Sequence, residues 1–394
     1  MNPAGIDITG MGCICAPGTS VEAAMESVYS GMRYPAKPVN IETTLEQVYP
    51  AFEVLQELPI IDPALTRTSK FALQAANEAL DQAGLDPDYL KSKKVGVCIG
   101  TTVGCTLNNE PFYRDYKKNI YPAIDAIDRY LTNNPAVFIT RKFNLKGPVA
   151  TIANACSSGT DAIGMAKSWI EKGYCDIAIA GGADELSRIT YLGFISLLIS
   201  SIEACRPFDK NRKGLNLGEG AGIIILEGAE SVRERQAKSL ASVCGFGTFA
   251  DAYHPTAPHP EGIGLGRAIR QALEQANITV EKIGFVNAHG TSTPNNDEVE
   301  GQVITKIFGD NIPVVSTKSY TGHTLGAAGG IEAVFSIRAL RDQKLPATPG
   351  FEEFDPGCTL APTIENTAVK AEYGISNSLA FGGNNSALVF RRAD

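Results

Sequence analysis

Five apolar runs of five or six residues recur along this chain, separated by longer stretches with helical spacing. The runs are Val95–Ile99, Cys175–Ala180, Gly222–Glu227, Ile283–Asn287 and Ile312–Ser316, and each reads as a buried strand. Between two of them, apolar residues fall at Ala162, Ile163, Ala166, Trp169 and Ile170, one face of a helix that should stop at Gly173. Strands alternating with helices predict α/β layers around a mainly parallel sheet. The chain ends differently. Tyr373–Leu379 and Ser386–Phe390 flank Ala-Phe-Gly-Gly-Asn-Asn, which predicts two strands joined by a tight glycine turn.

Several function classes are excluded early. Lys and Arg number 35 against 43 Asp and Glu, a net charge of −8, so a nucleic-acid partner is not expected. The greasiest run, Tyr191–Ile199, has about half the ~18 apolar residues of a membrane span. The start, Met-Asn-Pro-Ala-Gly-Ile-Asp, lacks the basic and apolar regions of a signal peptide. The nine cysteines are odd in number and fit no disulfide framework, which predicts a reducing cytoplasm. No metal site is expected. Cys13-Ile-Cys15 is too closely spaced for a typical zinc pair, and His254 and His259 read as ordinary polar residues of a proline-rich loop. Gly262-Ile-Gly-Leu-Gly266 lacks dinucleotide-binding spacing, and no P-loop or Gly-x-Ser-x-Gly elbow occurs.

Three motifs carry chemistry. In Ile152-Ala-Asn-Ala-Cys156-Ser-Ser-Gly159-Thr-Asp161, small residues lead into the helix. Cys156 at a helix N-terminus would be favoured as thiolate, the nucleophilic form; a buried structural cysteine is the other reading. In Phe285-Val-Asn-Ala-His289-Gly-Thr291-Ser-Thr293-Pro294, a histidine ends a strand, where ligands bind in α/β sheets, and two threonine hydroxyls are placed to hold a polar tether. In Ser316-Thr-Lys318 through Gly322-His323 to Glu332, a strand again ends in a glycine-rich turn holding a histidine.

Taken together and in this order, the three motifs resemble the β-ketoacyl-acyl carrier protein synthases of the thiolase superfamily, in the elongating Cys-His-His branch. Ile8-Thr-Gly-Met-Gly12, Arg206-Pro-Phe-Asp-Lys210, Gly214–Gly222 and Phe381-Gly-Gly-Asn384 resemble further segments, so the similarity runs nearly end to end. The resemblance implies a five-layered α-β-α-β-α fold of two similar halves, 1–240 carrying the cysteine and 241–394 carrying both histidines. It implies a homodimer, with a heterodimer with a chain-length factor left open. It also implies decarboxylative condensation of an acyl group with malonyl-acyl carrier protein. No resident cofactor is implied, since phosphopantetheine arrives on the carrier protein. A non-condensing partner subunit of the chain-length-factor kind is the alternative, and Cys156 argues against it.

By motif match, Cys156 would take the acyl chain, and neutral His289 and His323 would hydrogen-bond the malonyl thioester carbonyl. Backbone N–H groups of Cys156 and Phe381 would hold the oxyanion, and Phe381 would also gate the acyl pocket. Lys318 and Glu332 would form a charged pair orienting the His323 region. Thr291 and Thr293 would contact phosphopantetheine, and Val103 would floor the acyl pocket, its small size admitting a long or unusual chain. Asp297 and Glu300 would steady the site, or else face solvent on a helix. Docking of an acidic carrier protein would use Arg206 and Lys210, in a segment of local charge +3 with Arg212, Lys213 and Asp209, and a second cluster at Arg67 and Lys70. Two departures stand out: Ala380 replaces a glycine, restricting the backbone beside the gate, and Asn384 replaces a threonine. Fatty acid elongation and a specialised polyene or polyketide pathway both remain open.

Overall fold

A computed structural model describes residues 5–60, 62, 65–104 and 106–393. Cys105 and the first four residues lie outside them. The strands in chain order are β1 Ile6–Cys15, β2 Val95–Gly100, β3 Val149–Ile152, β4 Ile177–Asp184, β5 Gly220–Glu227, β6 Ala241–Ala250, β7 Ile283–Asn287, β8 Val314–Val315, β9 Lys344–Leu345, β10 Thr367–Ala368, β11 Tyr373–Ala380 and β12 Asn384–Arg392. All but β9 and β10 join one sheet, in the order β3-β2-β4-β5-β1-β6-β12-β11-β7-β8.

That order contains a repeat. The path β3-β2-β4-β5-β1 and the path β8-β7-β11-β12-β6 are the same path taken twice. In each, the first three strands pair in parallel and the last two add on antiparallel. The halves join where Ile6–Ile8 of β1 pairs with Ala241–Val243 of β6. The helices Ser158–Glu171 and Ala328–Asp342 touch both half-sheets and form the central layer. The helix Arg67–Ala83 covers the outer face of one half, and Ile263–Ala276 covers the other. The result is the five-layered thiolase-like fold that the resemblance implies.

Small residues set the layer spacing, and they repeat too. A Cβ on Gly10 of β1 would lie 2.0 Å from the Ala79 carbonyl oxygen, and one on Gly245 of β6 would lie 1.9 Å from that of Ala272. Gly12 and Gly247 repeat the contact one helical turn away, against Ala75 and Ala268. Each half thus keeps a Gly-x-Gly strand against an alanine-lined helix, since only bare backbone permits so close an approach.

The sheet is mixed rather than mainly parallel, with four parallel and five antiparallel pairings among the described residues, and two strands also depart from the sequence expectation. β4 runs on through Gly181 and Gly182 to Asp184. Those glycines extend the strand because the central layer presses on it: a Cβ on Gly182 would sit 2.2 Å from the Gly326 carbonyl. β8 shrinks to Val314–Val315, since Pro313 has no N–H to give a ladder. Among the described residues, no helix is long and apolar enough to cross a membrane.

Candidate active site

The chain after β3 makes a 3-10 turn, Ala155–Ser157, that opens directly into the 158–171 helix. Ala155 has φ +50°, a left-handed conformation costing roughly 1–2 kcal/mol for a residue with a Cβ. Its carbonyl accepts from Thr102 and Ser158 hydroxyls, and Ser158 Oγ also accepts from Asn154 N–H, which holds the turn in place. This turn buries Cys156 and aims its sulfur at His323, with Nε2 to Sγ at 3.0 Å. Backbone N–H groups of Phe381 and of Cys156 itself also reach the sulfur.

Burial pushes the Cys156 thiol up to about 12, and the Lys318 charge and these N–H groups pull against it without prevailing. The preformed thiolate expected from the helix end is therefore not the resting state. Alkylation of Cys156 by iodoacetamide should climb about tenfold per pH unit between pH 7 and 9, tracking the thiolate fraction. A plateau beginning near pH 7 would contradict the raised value.

His289 follows β7, and its backbone N–H and that of Gly290 donate to the two oxygens of Glu300, each at 2.7 Å. Its Nδ1 lies 3.1 Å from the Lys318 Nζ, and Lys318 in turn is bonded to Glu332. An ammonium can only donate, so Nδ1 accepts and the His289 proton sits on Nε2. The Lys318–Glu332 pair thus orients His289 rather than the His323 region. His323 is held by its backbone, which donates to Asn216 O and accepts from Gly218 N–H. The two imidazoles meet at 89° with centroids 5.2 Å apart. Burial lowers both far below the usual imidazole range, and the Lys318 charge adds to it, so both rings are neutral. Burial raises Glu332 and Glu300 to about 7.

Cys156, His289 and His323 line one cavity of about 220 Å³. Thr291 and Thr293 line it as well, their hydroxyls 2.8 Å apart. Phe381 stacks on Phe194 at 5.4 Å and 12°, closing one wall. Ala380 is extended at φ −135°, so its methyl imposes no backbone strain. Val103 does not line this cavity. It belongs to an apolar cluster that reaches the wall through Phe194 and Ile199.

Residues 4–231 match the family model of the β-ketoacyl synthase N-terminal domain, and residues 240–352 match that of the C-terminal domain. The chain belongs to the β-ketoacyl synthase family. This synthase is 35% identical to 3-oxoacyl-[acyl-carrier-protein] synthase 2 of Staphylococcus aureus, over 98% of its own length and 97% of the relative's. Among solved structures it is similar to a chain of the ishigamide ketosynthase/chain length factor, with TM-score 0.94, 30% identity and 99% of each chain covered. It is also similar to a type II polyketide ketosynthase structure with its acyl carrier protein, AntDE:AntF, with TM-score 0.91, 27% identity and both chains fully covered.

The basic segment of the synthase differs from its sequence count. Arg206 pairs with Glu352 and Glu203, Lys210 with Glu353, Lys213 with Glu203, and buried Arg212 with Asp355. Residues 352–355 fold back over the segment, so the local +3 is neutralised. Arg67 is likewise spent on buried Glu219 and the Val54 carbonyl, and it lines one depression together with Lys70. Asp297 and Glu300 are buried, not on a solvated helix face. His254 and His259 accept backbone N–H bonds in their own loop, as ordinary polar histidines do.

Sequence reading missed Asp184. Its carboxylate, fully buried, takes N–H groups from Thr102, Val103, Gly104 and Gly326 and the Thr101 hydroxyl. It ties the loop after β2 to the turn beyond His323. The available signal was a carboxylate ending an otherwise apolar strand, where it must find donors.

Proposed function

We propose that this synthase condenses an acyl group with malonyl-acyl carrier protein, releasing CO2 and 3-oxoacyl-acyl carrier protein. The Cys156 sulfur attacks the acyl thioester, the carrier's thiol leaves, and the Cys156 proton passes through neutral His323 to that leaving thiolate. The malonyl thioester then enters. Loss of CO2 leaves an enolate whose oxygen accepts from His289 Nε2–H and His323. The carbanion attacks the acyl-cysteine, and backbone N–H groups of Cys156 and Phe381 hold the tetrahedral oxyanion, each donor being worth roughly 3–4 kcal/mol. The Cys156 thiolate leaves and takes a proton from water, the one proton that the decarboxylative condensation consumes. Thr291 and Thr293 hold the incoming pantetheine arm, and Phe381 gates the acyl pocket.

The observation that carries this reading is the pair of buried neutral imidazoles at right angles beside one buried thiol, one of them fixed in tautomer by Lys318. A non-condensing subunit would have no use for that set. The same reading takes 1–240 and 241–394 as the two halves, a cytoplasmic location, and no resident cofactor. It also takes assembly as a dimer, either with itself or with a chain-length factor like that named in the ishigamide structure.

Intact-mass spectrometry with a panel of acyl carrier proteins of different chain length tests it. Acyl mass should appear on the protein and be lost when malonyl carrier protein is added, with a product two carbons longer. Absence of acylation across saturated, polyene and aryl chains, with and without a chain-length factor, would sink the reading.

A further inference from the structure

The cavity mouth does not end at the pantetheine threonines. Asn295 and Pro258 line both the cavity and a neighbouring depression of about 280 Å³. That depression continues along the helix Pro294–Phe308 past Glu298, Val299 and Gln302. A further hollow begins at Val303 and ends at Lys306 and Ile307. These positions fall at i, i+3, i+4, i+7, i+8, i+11 and i+12, a single face of that helix, and they span about 18 Å at 1.5 Å per residue. The track therefore leads from the catalytic mouth over the outer layer of the second half.

Its far end is basic. Arg267, Arg270 and Lys306, all exposed, surround a floor of Ile263, Val303 and Ile307, with Glu261 the sole acid lining it. Among the described residues, none of the three cations forms a salt bridge. The Arg267 guanidinium carbon sits over the Phe249 ring, 4.6 Å from its centre, and Arg270 donates to the Gly266 carbonyl. The contrast with Arg206, Arg212, Lys210 and Lys213 is direct, since carboxylates of this chain occupy those four. On a protein of net charge −8, these cations are unspent.

We propose that this groove docks an acidic amphipathic helix of the acyl-carrying protein, its apolar side on Ile263 and Ile307 and its carboxylates on Arg267, Arg270 and Lys306. The proposal rests on the reading that substrates arrive on a carrier protein, whose body must then sit outside the mouth while its arm reaches Cys156. Unpaired surface charge acts mainly on encounter and on salt dependence.

The test is the triple reversal Arg267→Glu/Arg270→Glu/Lys306→Glu, with Arg267→Gln/Arg270→Gln/Lys306→Gln as the milder variant. Each is assayed with acyl- and malonyl-carrier protein, and with acyl- and malonyl-N-acetylcysteamine thioesters, which have no protein body. The reversal should raise KM for the carrier-bound substrates about tenfold and flatten its salt dependence. Rates with the small thioesters should stay at the wild-type level. Unchanged KM for carrier substrates overturns the proposal. So does loss with both substrate kinds when the glutamine variant shows no rise in carrier KM. Wild-type condensation of small thioesters with none of carrier-bound ones would instead remove the carrier reading itself, and the two failures are distinct.

Discussion

Cys156→Ala is expected to take up no acyl mass from any acyl carrier protein, and its condensation rate should fall by about 10³-fold or more. The same variant should still release CO2 from malonyl carrier protein, because the enolate is stabilised by His289 and His323, which the substitution leaves in place. His289→Ala should do the reverse: it should be acylated at near wild-type levels and fail to decarboxylate. Intact mass and CO2 release read the two half-reactions separately. Acyl mass persisting on Cys156→Ala would assign the nucleophile elsewhere. Loss of CO2 release in Cys156→Ala would mean that the sulfur takes part in decarboxylation, contrary to the division of roles given above.

The second large effect is expected at Lys318. Its ammonium lies buried between the His289 Nδ1 and Glu332 Oε1, and Glu332 Oε2 has no hydrogen-bond partner among the described residues. Lys318→Met removes the group that fixes the His289 tautomer and leaves a carboxyl buried alone. Decarboxylation should drop about 100-fold. Stability should fall by about 3 kcal/mol at pH 8, as when one member of a buried pair is removed. The pH dependence has a definite sign. Burial already lifts the Glu332 carboxyl to about 7, and without Lys318 nothing pulls it back. A carboxyl raised in the folded state contributes its full stability below its unfolded value, near pH 4.5, and loses it as pH rises through the folded value. The variant should therefore melt closer to wild type at pH 5 than at pH 8. Lys318→Met/Glu332→Gln should recover the stability at pH 8 without recovering the rate. Recovery of both together would show that Lys318 serves the fold alone.

Much of this molecule is legible in the sequence wherever a signal is local. The apolar runs mark strands because a strand buried on both faces has no polar residue to alternate with. His289 and His323 stand out because each falls in a glycine-rich turn after such a run, and Cys156 because small residues lead from it straight into a helix. What is not legible is pairing at a distance. Nothing near Arg206 or Lys210 announces that Glu352 and Glu353, some 140 positions on, will cover them. Nothing near His323 shows that Lys318 will turn instead to His289. The length of β4 was hidden for a related reason. Gly181 and Gly182 look like a strand end until the backbone of the opposite half is seen pressing on them. The repeat escaped because what the halves visibly share is glycines and alanines at the layer contacts, the residues least conspicuous in a hydrophobic pattern.

The repeat extends to the reactive turn. Ala155-Cys156-Ser157 and Leu325-Gly326-Ala327 are both 3-10 turns that open a central helix, and Ala155 and Leu325 carry φ values of +50° and +53°. Gly326 is thus the second half's counterpart of Cys156. It has no side chain, and its N–H is bound to Asp184 of the first half. Two matching modules offer two equivalent seats for a nucleophile, and a single pocket has use for one. The second seat, with no side chain, serves as a bracket that ties the halves together through Asp184. The asymmetry that any enzyme needs is in this way contained within one chain, built by silencing one duplicate and leaning the other upon it.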